Sequence, residues 1–252
     1  MQLQAVLFDL WGTLVLDPAE RSLPRQGWRA QRVREALALH NCRVDLDLIA
    51  AALNEAARAL TALQDKGIDL MAGGRAGLFA ELFERNGGLP IPKSALPEVE
   101  EAIGEMPEAY QPVEAPLASQ TLAAIKASGL ATALVSNAGL TTSPHLRRLL
   151  RDYEMLPHLD YLVFSDELGV AKPHARMFSE ALNGIGVPAE ACAFVGDSPH
   201  NDIGGAKDAG LFAIQIGSRH VNGITPDAHI QLLQELLPAL RTSERHAGPV
   251  AG

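Results

Sequence analysis

The stretch Ala5-Val6-Leu7-Phe8-Asp9-Leu10-Trp11-Gly12-Thr13 decides how the rest of the chain is read. Apolar side chains run without a break to Phe8 and stop at an aspartate, with a glycine three residues further on. A short continuous apolar run closed by turn residues is the pattern of a buried strand that runs into a tight loop.

The same pattern recurs downstream. Ala131–Val135 stops at Ser136-Asn137, Tyr161–Phe164 stops at Ser165-Asp166, and Ala193–Val195 stops at Gly196-Asp197-Ser198. Phe212–Ile216 reads as a further strand, and helical stretches lie over Leu117–Ser128, Phe178–Ile185 and Ile203–Ala209. Strands alternating with helices predict an α/β fold, a doubly wound, Rossmann-like parallel sheet with helices on both faces. In such a sheet ligands bind beyond the carboxyl ends of the strands. That is where Asp9, Ser136, Asp166 and Asp197 fall.

Between about Asp17 and Gln111 the period changes. Leu46, Ile49, Leu53, Ala57, Leu60 and Leu63 recur at helical spacing, and Leu78, Phe79, Leu82 and Phe83 mark another helix closed by Asn86-Gly87-Gly88. No strand is expected here, so residues 17–111 read as an all-helical insertion. Residues 1–16 and 112–242 then form the sheet-bearing core, and Ser243–Gly252 reads as a loose tail.

Composition narrows the function. A chain of 252 residues with 47% hydrophobic and 20% charged residues has the make-up of a soluble globular protein. A formal net charge of -9 and only 5% aromatic residues argue against a nucleic-acid partner. No apolar run approaches a membrane span, and Asp9 interrupts the first apolar stretch too early for a secretory signal. Cys42 and Cys192 lie far apart and make no metal-ligand pair, which fits a reducing cytoplasm.

Four motifs now stand in order, each at a strand end or in the loop after it. They are Asp9-Leu10-Trp11-Gly12-Thr13, Val135-Ser136-Asn137, Gly169-Val170-Ala171-Lys172-Pro173, and Val195-Gly196-Asp197-Ser198 running on through Asp202 to Ala206. Together they resemble the motifs of the haloacid dehalogenase-like hydrolase superfamily. The insertion matches in position the helical cap of the subgroup that carries one after the first motif.

That resemblance implies roles. Asp9 would be the nucleophile that forms a covalent intermediate, a task that suits a carboxylate. Thr13 and Ser136 would donate hydrogen bonds to the nucleophile and the transferring group. Main-chain amides around Trp11, Gly12 and Asn137 are placed to meet an anion. Lys172 would neutralise charge on the nucleophile and on a phosphoryl group. The metal would be Mg²⁺, held by Asp9, Asp197 and the main-chain carbonyl of Trp11, with Asp202 holding a bound water or orienting Lys172. Each residue also has a plainer reading: Asp9, Asp166 and Asp202 are good turn or helix caps, and a lysine is usually a solvated charge.

One position departs from the pattern. The superfamily's phosphatases carry an aspartate where Trp11 stands, and that aspartate protonates the leaving alkoxide and then activates water. Indole does neither. General acid–base help is worth about 10²–10⁴-fold in rate. The preferred expectation is a Mg²⁺-dependent hydrolase acting on a small phosphorylated metabolite through an aspartyl-phosphate, either with a good leaving group or with another proton donor. His174 and His200 lie in the right loops, where a histidine is more often simply solvated. A 2-haloacid dehalogenase is the alternative. Its first motif carries an aromatic residue here and its halide leaves without a proton, but its fourth motif lacks the metal-binding form seen in this chain. Arg21, Arg25, Arg29 and Arg32 are candidates by position for its carboxylate-binding arginine. A phosphonatase would need a Schiff-base lysine, and Lys66 and Lys93 are the lysines of the insertion. A weakened binding protein completes the set. The insertion has no motif that names a substrate, and the sequence leaves the oligomeric state open.

Overall fold

The computed structural model describes residues 3–218 and 223–246. Six strands form one parallel sheet: β1 (Ala5–Phe8), β4 (Ala131–Ser136), β5 (Tyr161–Phe164), β6 (Cys192–Gly196), β7 (Phe212–Ile216) and β8 (Ala228–Ile230). Their order is β5-β4-β1-β6-β7-β8, with every neighbouring pair parallel. β1 therefore sits inside the sheet between β4 and β6, and all four of its side chains are buried. An all-apolar strand is what a parallel sheet covered on both faces requires.

Period-two alternation divides the strand residues between two cores. Val6, Phe8, Leu134 and Val195 pack against α5 (Ala118–Ala127), α6 (Ser143–Asp152) and α10 (Leu236–His246). Ala5, Leu7, Val135 and Phe194 pack on the opposite face against α8 (Ala175–Ile185) and α9 (Gly205–Asp208). The sheet is thus doubly wound. Cys192 belongs to the second core, where burial pushes its thiol up to about 12.

The remaining helices leave the sheet between β2 (Val15–Leu16) and β3 (Val113–Glu114), which pair antiparallel as a two-stranded ribbon. They are α1 (Ala19–Leu39), α2 (Leu46–Gln64), α3 (Gly74–Arg85) and α4 (Leu96–Gly104). Their apolar stripes meet in a third core around Val33, Leu37, Ile49, Leu53, Phe79, Phe83, Val99 and Ile103. α2 starts where Asp45 accepts a hydrogen bond from Asp47 N at 2.7 Å, and α3 ends at Asn86 before Gly87 at φ 95°.

The structure differs from the sequence reading in four respects. The expected loop at Ser165-Asp166 is a single helical turn, α7 (Ser165–Leu168), closed by Gly169 at φ 71°. The helix expected over Ile203–Ala209 begins earlier, as a wide π-helical turn over Pro199–Gly204, and α9 continues it. Proline at its first position and Ser198 Oγ, which accepts from Asn201 N, start that turn early. The ribbon and β8 are strands of two and three residues, too short to leave a period. Finally, α10 runs to His246, four residues into the stretch read as a tail, while 247–252 lie outside the described residues. Among the described residues, no helix is long and apolar enough to cross a membrane.

Candidate active site

The site is built at the carboxyl ends of the neighbouring strands β4, β1 and β6. Asp9 follows β1, and its main-chain N–H donates to Val195 O on β6 at 2.9 Å. The chain then folds back at once: Leu10 O accepts from Leu14 N and Val15 N, both at 2.9 Å. Gly12 makes this tight loop possible, at φ 82°. A Cβ on Gly12 would lie 2.5 Å from Asp197 Oδ2, so the glycine also gives Asp197 its place. Gly196 does the same for Asp202, whose carboxylate would meet a Cβ there at 2.5 Å.

Lys172 ties these parts together. Its Nζ donates to Asp9 Oδ1 at 2.6 Å and to Asp202 Oδ1 at 2.7 Å, with all three side chains almost fully buried. Asp202 Oδ2 accepts from Ser198 N at 2.9 Å. Of the readings open for Asp202, orienting Lys172 is the one its hydrogen bonds match. Asn137 is held by a reciprocal pair: Lys172 N donates to Asn137 Oδ1 at 2.8 Å, and Asn137 Nδ2 donates to Lys172 O at 3.2 Å. Its carboxamide thus grips the lysine's main chain. Ser136 Oγ turns back to Asn137 O at 3.2 Å.

Two buried polar atoms at the centre have no hydrogen-bond partner, Asp9 Oδ2 and Thr13 Oγ1. Buried oxygens are nearly always paired, so a pair of orphans on the loop of the expected nucleophile marks a place for something that binds. Ligand atoms of Asp9, Asp197 and Asp202 all come within 4.8 Å of one another. Three carboxylates face one ammonium, and burial first, then the neighbouring carboxylates, push Asp9 up to about 7 against the pull of Lys172. Burial acts to lower Lys172, but Asp202 and Asp9 outweigh it and hold the ammonium above its ordinary range. The surplus of hard oxygen donors over positive charge suits a divalent cation such as Mg²⁺.

Two clefts flank the Asp9 loop. One, of about 540 Å³, opens between the sheet and the helical layer and is lined by Trp11, Asn137, Thr141, Arg25, Arg29 and Leu53 among others. The other, of about 310 Å³, reaches Gly12, Thr13 and Asp197. Trp11 is partly buried, packs on the sheet core and turns its remaining surface to the larger cleft.

The arginines of α1 separate clearly. Arg25 pairs with Asp17 and donates to Tyr110 O at 2.7 Å. Arg29 donates to Thr141 Oγ1 at 3.1 Å and keeps a buried Nε without a partner. Burial and the neighbouring Arg25 lower its pKa to about 10. Arg21 donates to Ala109 O at 2.6 Å, and Arg32 pairs with Glu35 and Glu105. His174 is exposed and caps α8 by accepting from Arg176 N at 3.1 Å, and His200 is exposed. Lys66 and Lys93 are also exposed, whereas a Schiff-base lysine needs a desolvated place. Asp166 accepts from Ser143 N at 2.8 Å at the start of α6, so it caps a helix.

Similarity to known proteins follows the same lines. The model of the haloacid dehalogenase-like hydrolase family matches residues 3–210. A phosphoserine phosphatase from Thermus thermophilus is 35% identical over 143 residues, 56% of this chain and 54% of that protein. A glyceraldehyde 3-phosphate phosphatase from Methanocaldococcus jannaschii is 30% identical over 130 residues, 50% of this chain and 56% of that protein. The chain spans about half the length of these curated relatives. Among solved structures, a 2-haloacid dehalogenase from Pseudomonas syringae superposes with a TM-score of 0.66 at 21% identity, covering 96% of this chain and 100% of the other. A HAD phosphatase from Thermococcus onnurineus gives 0.63 at 20%, covering 94% and 98%. These two share the fold. With the family model spanning most of the chain and the four motifs gathered at one end of the sheet, the chain belongs to the haloacid dehalogenase-like hydrolases.

Proposed function

We propose that this enzyme is a Mg²⁺-dependent hydrolase of small phosphate monoesters that works through a phosphorylated Asp9. The observation that carries the reading is the buried Asp9–Lys172–Asp202 chain, with Asp197 within ligand distance of both carboxylates. A dehalogenase that needs no metal has no use for the further carboxylate of Asp197, and the two curated relatives named above are phosphatases.

Lys172 holds Asp9 Oδ1 and leaves Oδ2 as the attacking atom. Oδ2 forms a bond to phosphorus as the ester P–O bond breaks, and the leaving oxygen departs with the electron pair as an alkoxide or phenolate that takes its proton from solvent. Water then attacks the phosphorus of the aspartyl-phosphate, releasing inorganic phosphate and the Asp9 carboxylate. Thr13 Oγ1, which has no other partner, is the donor to the transferring group, and Ser136 Oγ would join it on turning away from Asn137 O. Asp9, Asp197 and the Trp11 carbonyl would hold Mg²⁺, while Asp202 holds Lys172, and the cation would supply charge stabilisation to the phosphoryl group.

Residues 17–111 act as a cap over the core of 1–16 and 112–242, excluding water and selecting the substrate. Trp11 forms part of that wall. Because indole gives no proton, the substrate is one whose leaving group departs without general-acid help. We assign the enzyme to the cytoplasm, in keeping with its two free cysteines.

A second reading has one observation in its favour. Arg29 brings a buried, partly unpaired guanidinium to the same cleft as Trp11, a fitting pair for a haloacid carboxylate and a leaving halide. One experiment separates the two: phosphate release from an aryl phosphate, with and without Mg²⁺, for the parent and for Trp11→Asp. Mg²⁺-dependent release by the parent supports the phosphatase. Release by Trp11→Asp alone, together with metal-independent halide release from a small haloacid by the parent, would replace it with the dehalogenase.

A further inference from the structure

The helical layer touches the sheet-bearing core through a buried polar cluster that none of the four motifs contains. Asp69 and Arg75 form an ion pair at 3.3 Å, with both side chains fully shielded from solvent. Asp69 also accepts from Gln64 Nε2 at 3.0 Å and from Leu70 N at 2.6 Å. Those contacts stay within the layer. The others cross out of it.

Ser165 Oγ, at the end of β5, donates to Asp69 Oδ2 and accepts from Ala138 N at 2.8 Å. Arg75 Nε donates to Gly139 O at 2.7 Å. So both members of the pair hold the loop that follows β4, the loop that begins with Asn137. Alongside, Asp69 N donates to Gly169 O at 3.2 Å and Ala171 N donates to Gly67 O at 3.0 Å, with Ile68 and Val170 bridged antiparallel. The next residue is Lys172, and Asn137 clasps its main chain from the other side. The connections close a ring: Asp69, Ser165, Ala138, Asn137, Lys172, Ala171, Gly67 and back to Asp69.

We propose that Asp69 and Arg75 are positioning residues, a buried clasp through which the helical layer sets the two loops that carry Asn137 and Lys172. Desolvating an ion pair makes it a poor source of stability, and an apolar pair of similar volume would serve packing as well. What an apolar pair lacks is direction. Each member of this pair aims one atom out of the layer: Arg75 Nε at Gly139 O, and Asp69 Oδ2 at the Ser165 hydroxyl. The layer is tied to the core at several places, among them the β2–β3 ribbon, Arg29 on Thr141 Oγ1 and Glu101 beside His145, and of these the clasp is the one bonded to both the loop of Asn137 and the loop of Lys172. Docking of the layer and placement of Lys172 become one event, so the site is complete only when it is covered.

The activity arm of the test rests on the phosphatase reading, and the structural arm does not. Ser165→Ala removes the hydroxyl that joins Asp69 to Ala138 and leaves the ion pair. Asp69→Asn keeps the shape and removes the charge facing Arg75. Amide hydrogen exchange is followed in the parent and both variants, comparing segments 136–141 and 168–173 with β1 and β6. The expected result is exchange faster by about fivefold or more in the two loop segments, with β1 and β6 unchanged, since losing one hydrogen bond there opens the loops locally. Turnover of an aryl phosphate with Mg²⁺ falls in parallel. Unchanged loops in both variants, or acceleration spread evenly over β1 and β6, would overturn the clasp. No turnover by the parent would remove the phosphatase reading and leave the exchange result to decide the clasp.

Discussion

Lys172 brings one positive charge into a place that holds three carboxylates, and this asymmetry shapes the chemistry at the scale of single residues. The ammonium is bonded to Asp9 and Asp202 and is itself almost fully buried, so neither carboxylate loses its partner if the other is changed. Asp9→Asn removes the proposed nucleophile, a carboxyl that burial and its acidic neighbours have pushed up to about 7. Lys172 then keeps Asp202, the amide occupies the same volume, and the fold is preserved. The expected outcome is loss of turnover by more than about 10³-fold with a melting temperature within a few degrees of the parent. Initial rates and a thermal melt on one preparation measure both, and full activity in the variant would take Asp9 out of the mechanism. Asp9 and Asp197 were legible as charges at strand ends, where a parallel sheet binds ligands, whereas Lys172 and Asp202 stood out only through the resemblance of their motifs. The clasp of Asn137 on Lys172 was not legible. Nothing in Ser136-Asn137 tells whether an amide points at a substrate or at the main chain of a neighbouring loop.

At the scale of elements, legibility followed length and polarity. The long apolar strands and α2 announced themselves by period. The ribbon is too short to have a period, and α1 hides its inward stripe because Arg25 and Arg29 occupy buried positions on it, where an apolar residue would have signalled a face. The π-helical turn over Pro199–Gly204 stayed hidden because its first residues read as loop, although it places Asp202 against Lys172. The turn after β1 offers a test at this scale. Gly12→Ala puts a side chain at φ 82° and a methyl group 2.5 Å from Asp197 Oδ2. The backbone strain alone costs about 1–3 kcal/mol. Gly129 is a matched control, at φ 86° with no atom within 4 Å of a built Cβ. Calorimetric titration with Mg²⁺ should show an affinity about 10–100-fold lower for Gly12→Ala, the range expected when a ligand's support is disturbed. Gly129→Ala should lose stability to a similar degree and keep the parent's affinity. Equal affinity in all three proteins would mean that Asp197 does not hold the cation.

At the scale of the whole molecule, the acidic cluster joins parts of the chain that are far apart in sequence. Asp9 follows the first strand of the sheet, Lys172 follows β5 through α7, and Asp197 and Asp202 follow β6. A cation held by the carboxylates binds the folded chain and has no comparable site in the unfolded one, so mass action converts its affinity into stability. At a free Mg²⁺ concentration 100 times the dissociation constant the gain is about 2.7 kcal/mol, which for a chain of this size raises the melting temperature by roughly 5–10 °C. The net charge of -9 adds a complication, since any salt relieves self-repulsion in so acidic a protein. The comparison is therefore made against NaCl at equal ionic strength, so that screening contributes equally to both melts. The parent should melt higher in MgCl₂ than in NaCl, with a shift that grows with the logarithm of concentration. Asp197→Asn should melt at the same temperature in both salts. The halide-releasing alternative needs no metal and predicts equal melting for the parent as well. A parent with no Mg²⁺-specific shift would count against the phosphatase before any substrate is tried, and a shift lost on replacing Asp197 would locate the cation at the end of β6.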